Sequence, residues 1–337
     1  MKDSEHAPVG LRIYSGAAAA PNNHGIGEIV MLHLHSLREG LPLLRALGSD
    51  IRIQILETLE KNGPMHMADI SAAVGITDGA LTPHIKALDQ CGMITVEVAS
   101  GRHGVQKVCY IKERKIIIEA FETERDHNVF ETEIGVGQYT SYEVYPTCGL
   151  ATHSHLIGEV DDPRHFASPE RTQSDILWFG HGYVEYMIPN FLTAVDDLQE
   201  IQISMEICSE APGCADDWPS DIYFYINGKE LGYWTSPADF GDTRGIYNPD
   251  WWFRHWNQHG LYKLLLVNKT GTYIDGKRIS DVMLDDLKIG QNPNITFRLS
   301  VPETAKNVGG LTIFGRTFGN YHQDIKVRMQ YKRKEKT

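Results

Sequence analysis

From Leu43 to Ile111 the chain spells two apolar helical runs, a short helix, a glycine turn, a further helix and a hairpin, and few folds accept that order. The run LPLLRALGSDIRIQILETL carries apolar faces at Leu43, Leu44 and Leu47, then at Ile51, Ile55 and Leu59. That spacing predicts helices over about Leu37 to Leu47 and Asp50 to Leu59, with Ser49 as cap and Gly63-Pro64 as stop. A short helix over about Ala68 to Val74 ends at Gly75. The next helix opens at Thr77, whose hydroxyl can accept from an orphan backbone N–H, and Asp78 suits the positive helix end. Leu81, Ile85 and Leu88 fall on one face and predict a core stripe, and Gly92 offers a stop. Ile94 to Val98 and Gln106 to Ile111 alternate around the turn SGRHG. Two short helices joined by a glycine turn and followed by a hairpin describe a helix-turn-helix with a wing.

The stretches ALGSDIRIQILETL and DISAAVGITDGALTPHIKALDQCGMI, with the hairpin after them, resemble the ArsR/SmtB-type winged-helix transcriptional regulators. The resemblance covers roughly Leu43 to Ile111, and its most specific parts are the Ala46-Leu47-Gly48 to Arg52 to Ile55-Leu56 spacing and His84-Ile85-Lys86-x-Leu88. It implies that the last helix enters the major groove of double-stranded operator DNA and that the wing follows the backbone. By position, Thr77, Ala80, Thr82, His84 and Lys86 would face DNA, and Arg102, His103 and Lys107 would lie on or beside the wing. Two features depart from the pattern. Pro83 sits inside the recognition helix, where it removes a hydrogen bond and crowds the Gly79 carbonyl, predicting a bend or a later helix start. The preceding helix, ADISAAVG, lacks the Cys-x-Cys pair of the family's metal sensors, so no metal is expected there.

The net charge of −12 looks wrong for a DNA reader until it is divided along the chain. Residues 30–115 hold ten Lys/Arg against nine Asp/Glu, whereas residues 116–337 hold 20 against 32. The acidity therefore belongs to the later part, and DNA binding would rest on local placement of Lys86, Arg102, Lys107 and Arg114. An acidic second domain would lie away from the duplex, and a homodimer would strengthen a salt-sensitive grip. No apolar run approaches a membrane span. The opening residues lack the apolar core of a signal peptide, and five scattered cysteines suit a reducing cytoplasm.

Residues 1–30 read as a disordered tail or leader, residues 31–115 as the winged helix and 116–129 as a connector. Leu32-His-Leu-His35 alternates as a short strand. Residues 130–332 read as a β-sandwich and 333–337 as a basic tail. In the sandwich region alternating runs occur at Ile134–Tyr145, Asp175–Ile188, Leu198–Ile207, Ile222–Ile226, Leu261–Val267, Asn294–Val301, Gly310–Phe314 and Ile325–Tyr331. Asn227-Gly228 and Asp275-Gly276 mark two-residue hairpins. The fold class is thus α+β and multidomain: an N-terminal winged helix-turn-helix, then an antiparallel, jelly-roll-like sandwich.

Asp217 to Gly260 is the densest unusual segment, holding five of the six tryptophans among Asp, Asn, Arg and Gln. Aromatic faces stack on sugar rings while carboxylates and amides hold hydroxyls. On this reading Trp234, Asp239, Asp242, Arg244, Asn248, Asp250, Trp251 and Trp252 bind a small-molecule effector, a carbohydrate. The bland alternative is that the tryptophans fill core and the polar residues make turns. Three rivals stand beside the sensor reading. Cys148, His153 and His155 could hold a transition metal or sense redox state. A carboxylate pair drawn from Glu185, Glu206, Asp221 and Asp250 could serve a glycosidase. The sandwich could also bind nothing and only dimerise. The overall expectation is a cytoplasmic repressor with no cofactor and no catalytic residues, whose effector shifts the placement of two winged helices.

Overall fold

The computed structural model describes residues 32–34, 36–101, 104–112, 116–118, 127–291 and 293–333. β1 (Leu32–Leu34) precedes α1 (Leu37–Leu47), which Ser36 caps by accepting from the Glu39 N–H at 3.1 Å. α2 (Asp50–Asn62) ends at Gly63, where φ of +72° stops the helix. β2 (Met65–His66) leads into α3 (Met67–Val74), closed by Gly75 in the left-handed region. α4 (Asp78–Gln90) follows, and β3 (Ile94–Gly101) with β4 (Gly104–Ile111) forms the wing. β2 adds to β4, giving a three-stranded sheet ordered β2-β4-β3.

Leu43, Ile55, Leu59, Ile70, Leu81 and Ile85 meet Leu88, Met93, Ile94 and Cys109 in one core. The stripes read from the sequence are the packed faces of α2 and α4, while on α1 Leu43 and Leu47 face the core and Leu44, expected with them, is 41% accessible. β5 (Ile116–Ile118) pairs in parallel with β1, joining Leu32 to Ile116 and Leu34 to Ile118. Residues 116–118 thus serve as strand within the stretch read as connector. β6 (His127–Ile134) begins three residues ahead of the boundary at 130.

The remaining strands are β7 (Ser141–Ala151), β8 (Ile176–Pro189), β9 (Asp196–Cys208), β10 (Ser220–Ile226) and β11 (Lys229–Ser236). They continue as β12 (Leu261–Asn268), β13 (Gly271–Ile274), β14 (Lys277–Ser280), β15 (Asn294–Val301), β16 (Leu311–Phe314) and β17 (Ile325–Arg333). Their pairing resolves into two antiparallel layers, β7-β8-β15-β10-β11 and β6-β17-β9-β12-β13-β14. β16 joins the layers by pairing with β8 on one side and β9 on the other. Inward residues of both layers, including Phe179, Tyr186, Phe224, Phe297 and Met205, form one continuous core. Both expected tight hairpins are present. Asn227 and Gly228 have φ of +50° and +75°, and Asp275 and Gly276 have +49° and +80°, as a two-residue turn of positive φ requires. The run read as one strand from Ile134 to Tyr145 is broken, because β6 ends at Ile134 and β7 starts at Ser141.

Candidate functional site

The recognition helix is positioned at its first turn. Thr77 Oγ1 accepts from the Ala80 N–H at 3.3 Å, and the Ser71 hydroxyl donates to the Asp78 carboxylate, tying α3 to α4. Thr82 donates to the Asp78 carbonyl at 2.9 Å. Leu81, Ile85 and Leu88 are buried, so rotation about the helix axis is fixed. Thr77, Ala80, Thr82 and Lys86 are exposed and His84 is half-buried. At 100° per residue, Thr82 and Lys86 lie on one flank of the outward face and Ala80 and His84 on the other. Gly79 and Pro83 fall between them. Residue spacing alone contains that arrangement.

α4 runs unbroken through Pro83 from Asp78, so it does not start late. The proline forfeits a single bond to the Gly79 carbonyl, and Gly79 is solvent-exposed, so water can satisfy the oxygen. On the wing, Lys107 is exposed on β4. Arg102, His103 and Arg114 lie outside the described residues.

The tryptophan-rich segment builds a second, smaller core at one end of the sandwich. Trp252, 2% exposed, meets Trp178, Phe314, Phe318 and Cys208. Its ring centroid lies 4.9 Å from that of Phe318 and 5.0 Å from that of Trp256. Its indole N–H donates to the Asn257 carbonyl at 2.9 Å. No face of Trp252 is therefore open to a sugar ring, which departs from the expectation for that residue. Trp234 lies on β11 against the main core, with Lys263 Nζ 4.1 Å over its ring. Trp251 is half-buried and donates to the His153 carbonyl at 2.6 Å.

The polar members of the set are also committed. The Arg244 guanidinium donates to the carbonyls of Pro249 at 2.5 Å and Trp252 at 3.3 Å. Asn248 bridges the Gln258 carbonyl at 2.8 Å and the Gly319 N–H at 2.7 Å. Asp239 is fully buried and accepts from the Ala211 N–H at 3.0 Å, and burial pushes its carboxyl up to about 7. Asp242 stays exposed beside His259, at 3.4 Å, and Asp250 is exposed. Arg244, Asn248 and Trp252 are thus brought together as loop scaffold, while Trp234 and Asp239 serve elsewhere. Exposed aromatic surface in this segment comes instead from Phe253, 53% accessible, Tyr233, 48% accessible, and Trp218, 37% accessible.

Two buried carboxylates hold the loops. Glu206, fully buried on β9, accepts from the N–H groups of Gly260, Asn320 and Tyr321, each at 2.9 Å. A Cβ at Gly319, where φ is +74°, would collide with that carboxylate, so the glycine is required. Burial pushes Glu206 up to about 8 against the pull of those three donors. Glu210 accepts from Asn257 Nδ2 at 2.9 Å and from Thr312 at 3.0 Å, and burial followed by the charge of Asp239 raises it strongly. Neither role is visible in the sequence, which gives no sign that a strand glutamate points inward.

The glycosidase candidates have separate partners. Glu185 pairs with Arg298 at 2.9 Å, Glu206 clamps backbone, and Asp221 accepts from Thr235 and Asn307. Cys148 is buried, with its N–H on Asp161, and His155 pairs with Glu170 at 2.8 Å. Among the described residues no group of three or more His, Cys, Asp and Glu could hold a metal ion. Among them, too, no helix is long and apolar enough to cross a membrane.

Residues 49–95 match the family model described as winged helix-turn-helix DNA-binding. This region of the chain is therefore a helix-turn-helix DNA-binding domain. A search of curated proteins finds no match. Among solved structures, the chain is similar to the CBM36-1 domain of a multidomain xylanase from the hindgut metagenome of Trinervitermes trinervoides. Identity is 10%, TM-score 0.23, with 60% of this chain and 95% of that one covered. It is also similar to a carbohydrate-binding module CBM36 in complex with calcium and xylotriose, at 9% identity and TM-score 0.24, covering 60% and 98%. A third similar structure is a Paenibacillus sp. cycloisomaltooligosaccharide glucanotransferase, at 9% and 0.24, covering 69% of this chain and 22% of that one. These values add nothing to the architecture drawn from the strand pairing above.

Proposed function

We propose that the chain is an ArsR-type transcriptional repressor in the cytoplasm that binds operator DNA as a homodimer through α4 and the wing. The observation that carries this reading is the recognition helix itself: a buried stripe locks it in place, while Thr82, Lys86, Ala80 and the edge of His84 face outward. An exposed Lys107 on β4 supplies a phosphate contact from the wing. The near-neutral charge of residues 30–115 means that few phosphates are neutralised, so affinity falls moderately with salt. The β-sandwich senses a small molecule, for which a carbohydrate is the favoured class. The accessible Phe253 and Trp218, with Trp251 and the exposed Asp242 and Asp250, support that choice, and the locked Trp252 does not. Ligand binding biases the relative placement of the two winged helices and so changes DNA affinity.

The test is to incubate the full chain with sheared genomic DNA and sequence what it retains. Enrichment of a two-fold symmetric site supports the reading. A chain that ignores duplex DNA at low ionic strength removes it. Thermal shifts across a panel of neutral sugars address the sensor. A flat response would favour a sandwich that serves dimerisation alone.

A further inference from the structure

A cavity of about 180 Å³ opens between α1, α2 and the last turn of α4. Its polar lining is Arg45, Arg52, Gln90 and Cys91, and its apolar lining is Pro42, Ala46 and Ala87. We propose that this cavity is a binding site for a small organic carboxylate with a compact apolar body, of about the size of benzoate.

Charge comes first. Two guanidinium groups border one small space, and among the described residues neither meets a carboxylate at ion-pair distance. Arg52 is held in place by donating from Nη2 to the Arg45 carbonyl at 3.0 Å, at the end of α1. Its Nε is shut off from water and has no acceptor. A buried donor without a partner is costly, but an atom that water does not reach is beyond a ligand's reach too, so the donors left to a ligand are the terminal N–H groups of Arg45 and Arg52 that are not already bonded. Guanidinium is planar and matches a carboxylate by two parallel N–H bonds, which a chloride ion cannot use.

Size comes second. A dry cavity of about 150 Å³ accommodates benzene, and drug-sized ligands need roughly 300 Å³ or more. The observed volume therefore holds a carboxylate on one ring or a short branched chain. The prolyl and alanyl walls give that body an apolar surface, and the Gln90 amide adds one polar contact at the rim.

Position gives the site a consequence. Ala87 and Gln90 belong to the recognition helix, Arg45 to α1 and Arg52 to α2. An occupant would brace the end of α4 against both supporting helices. Binding itself is independent of the DNA-binding reading, and only the effect on DNA affinity rests on it.

Isothermal titration of the full chain with sodium benzoate, at constant ionic strength, tests the site. The expected result is one-to-one binding with Kd of about 1 mM or tighter. Arg45→Gln should weaken it at least ~10-fold, the loss of one charge-assisted contact, and Arg45→Glu should abolish it. Arg45 is solvent-exposed and its backbone carbonyl, not its side chain, anchors Arg52, so both variants keep the fold. Benzyl alcohol, which has the body without the charge, should not bind. Benzoate should also slow iodoacetamide labelling at Cys91, which lines the cavity, and leave the exposed Cys214 unchanged. Absent binding, equal affinity in Arg45→Gln, or equal affinity for benzyl alcohol would each overturn the proposal. Loss of DNA binding with benzoate binding intact would instead remove the regulator reading and leave this site standing.

Discussion

Trp252→Ala separates the two meanings of a tryptophan in the Asp217 to Gly260 segment. If Trp252 is core, truncation removes a side chain that is 2% exposed and touches Trp251, Trp256, Trp178 and Phe318. Deleting a buried aromatic ring costs about 3–5 kcal/mol. The change also strips the Asn257 carbonyl of its indole donor, and an orphaned buried acceptor adds about 1–3 kcal/mol. A loss of about 5 kcal/mol is expected, which for a unit the size of residues 127–333 lowers Tm by roughly 10–20 °C. Trp252→Phe keeps a ring but not the donor and should cost about 2 kcal/mol. All six tryptophans lie between Trp178 and Trp256, so intrinsic fluorescence during urea unfolding reports the sandwich without the winged helix. A stability loss below about 1 kcal/mol, together with weakened sugar binding, would show that Trp252 is reachable by ligand and would refute the core assignment.

Three further outcomes follow from the same geometry. Lys107→Ala should weaken binding to all sequences alike and reduce the slope of log affinity against log salt by about 1. Fluorescence anisotropy over a salt series measures it, and an unchanged slope takes β4 off the phosphates. His84→Ala should alter sequence preference in a selection from random duplexes, whereas a uniform loss with preference intact assigns His84 to the fold or to phosphate. Glu206 has its folded-state pKa raised from 4.5 to about 8, chiefly by burial, so the folded chain keeps a proton that the unfolded chain releases. Its stabilising contribution is complete below pH 4.5, declines as pH rises toward 8 and is gone above it, with a slope of at most about 1.4 kcal/mol per pH unit. Urea midpoints of the sandwich should therefore fall between pH 5 and pH 8, and Glu206→Gln should flatten part of that fall. A wild-type profile that is flat or rises over this range defeats the argument.

What the sequence disclosed depended on whether a local period carried the information. The α4 stripe of Leu81, Ile85 and Leu88, the Gly75 turn and the alternation after Ile94 each follow from periodicity or backbone freedom, and each reappears in the fold. Asn227-Gly228 and Asp275-Gly276 are of the same kind, since positive φ at both positions leaves few other turns. Pro83 was legible as an anomaly but not in its consequence. The outcome depends on whether the freed Gly79 carbonyl meets solvent, which spacing does not say.

The burial of Trp252 was not legible for a different reason. Composition marks Asp217 to Gly260 as aromatic and polar, but it does not say which side of the chain each ring takes. That is set by contacts far apart in sequence: Phe318 against Trp252, Gly319 on Asn248, and Glu206 on Gly260 and Asn320. Each contact needs a strand register before it exists, so no window of neighbouring residues contains it. The same physics explains why the acids escaped notice. Glu206 lies on β9, where the register places it opposite Tyr262 of β12 and Phe314 of β16, inside the joint that β16 makes between the two layers. An inward carboxylate at such a joint is tolerable because the loop N–H groups converge on it, and those loops fold that way because the carboxylate is there. A sugar bound at this end of the sandwich, as proposed, would meet the rings and acids that keep exposed surface after that mutual fixation, with Phe253, Trp218, Asp242 and Asp250 the first to substitute.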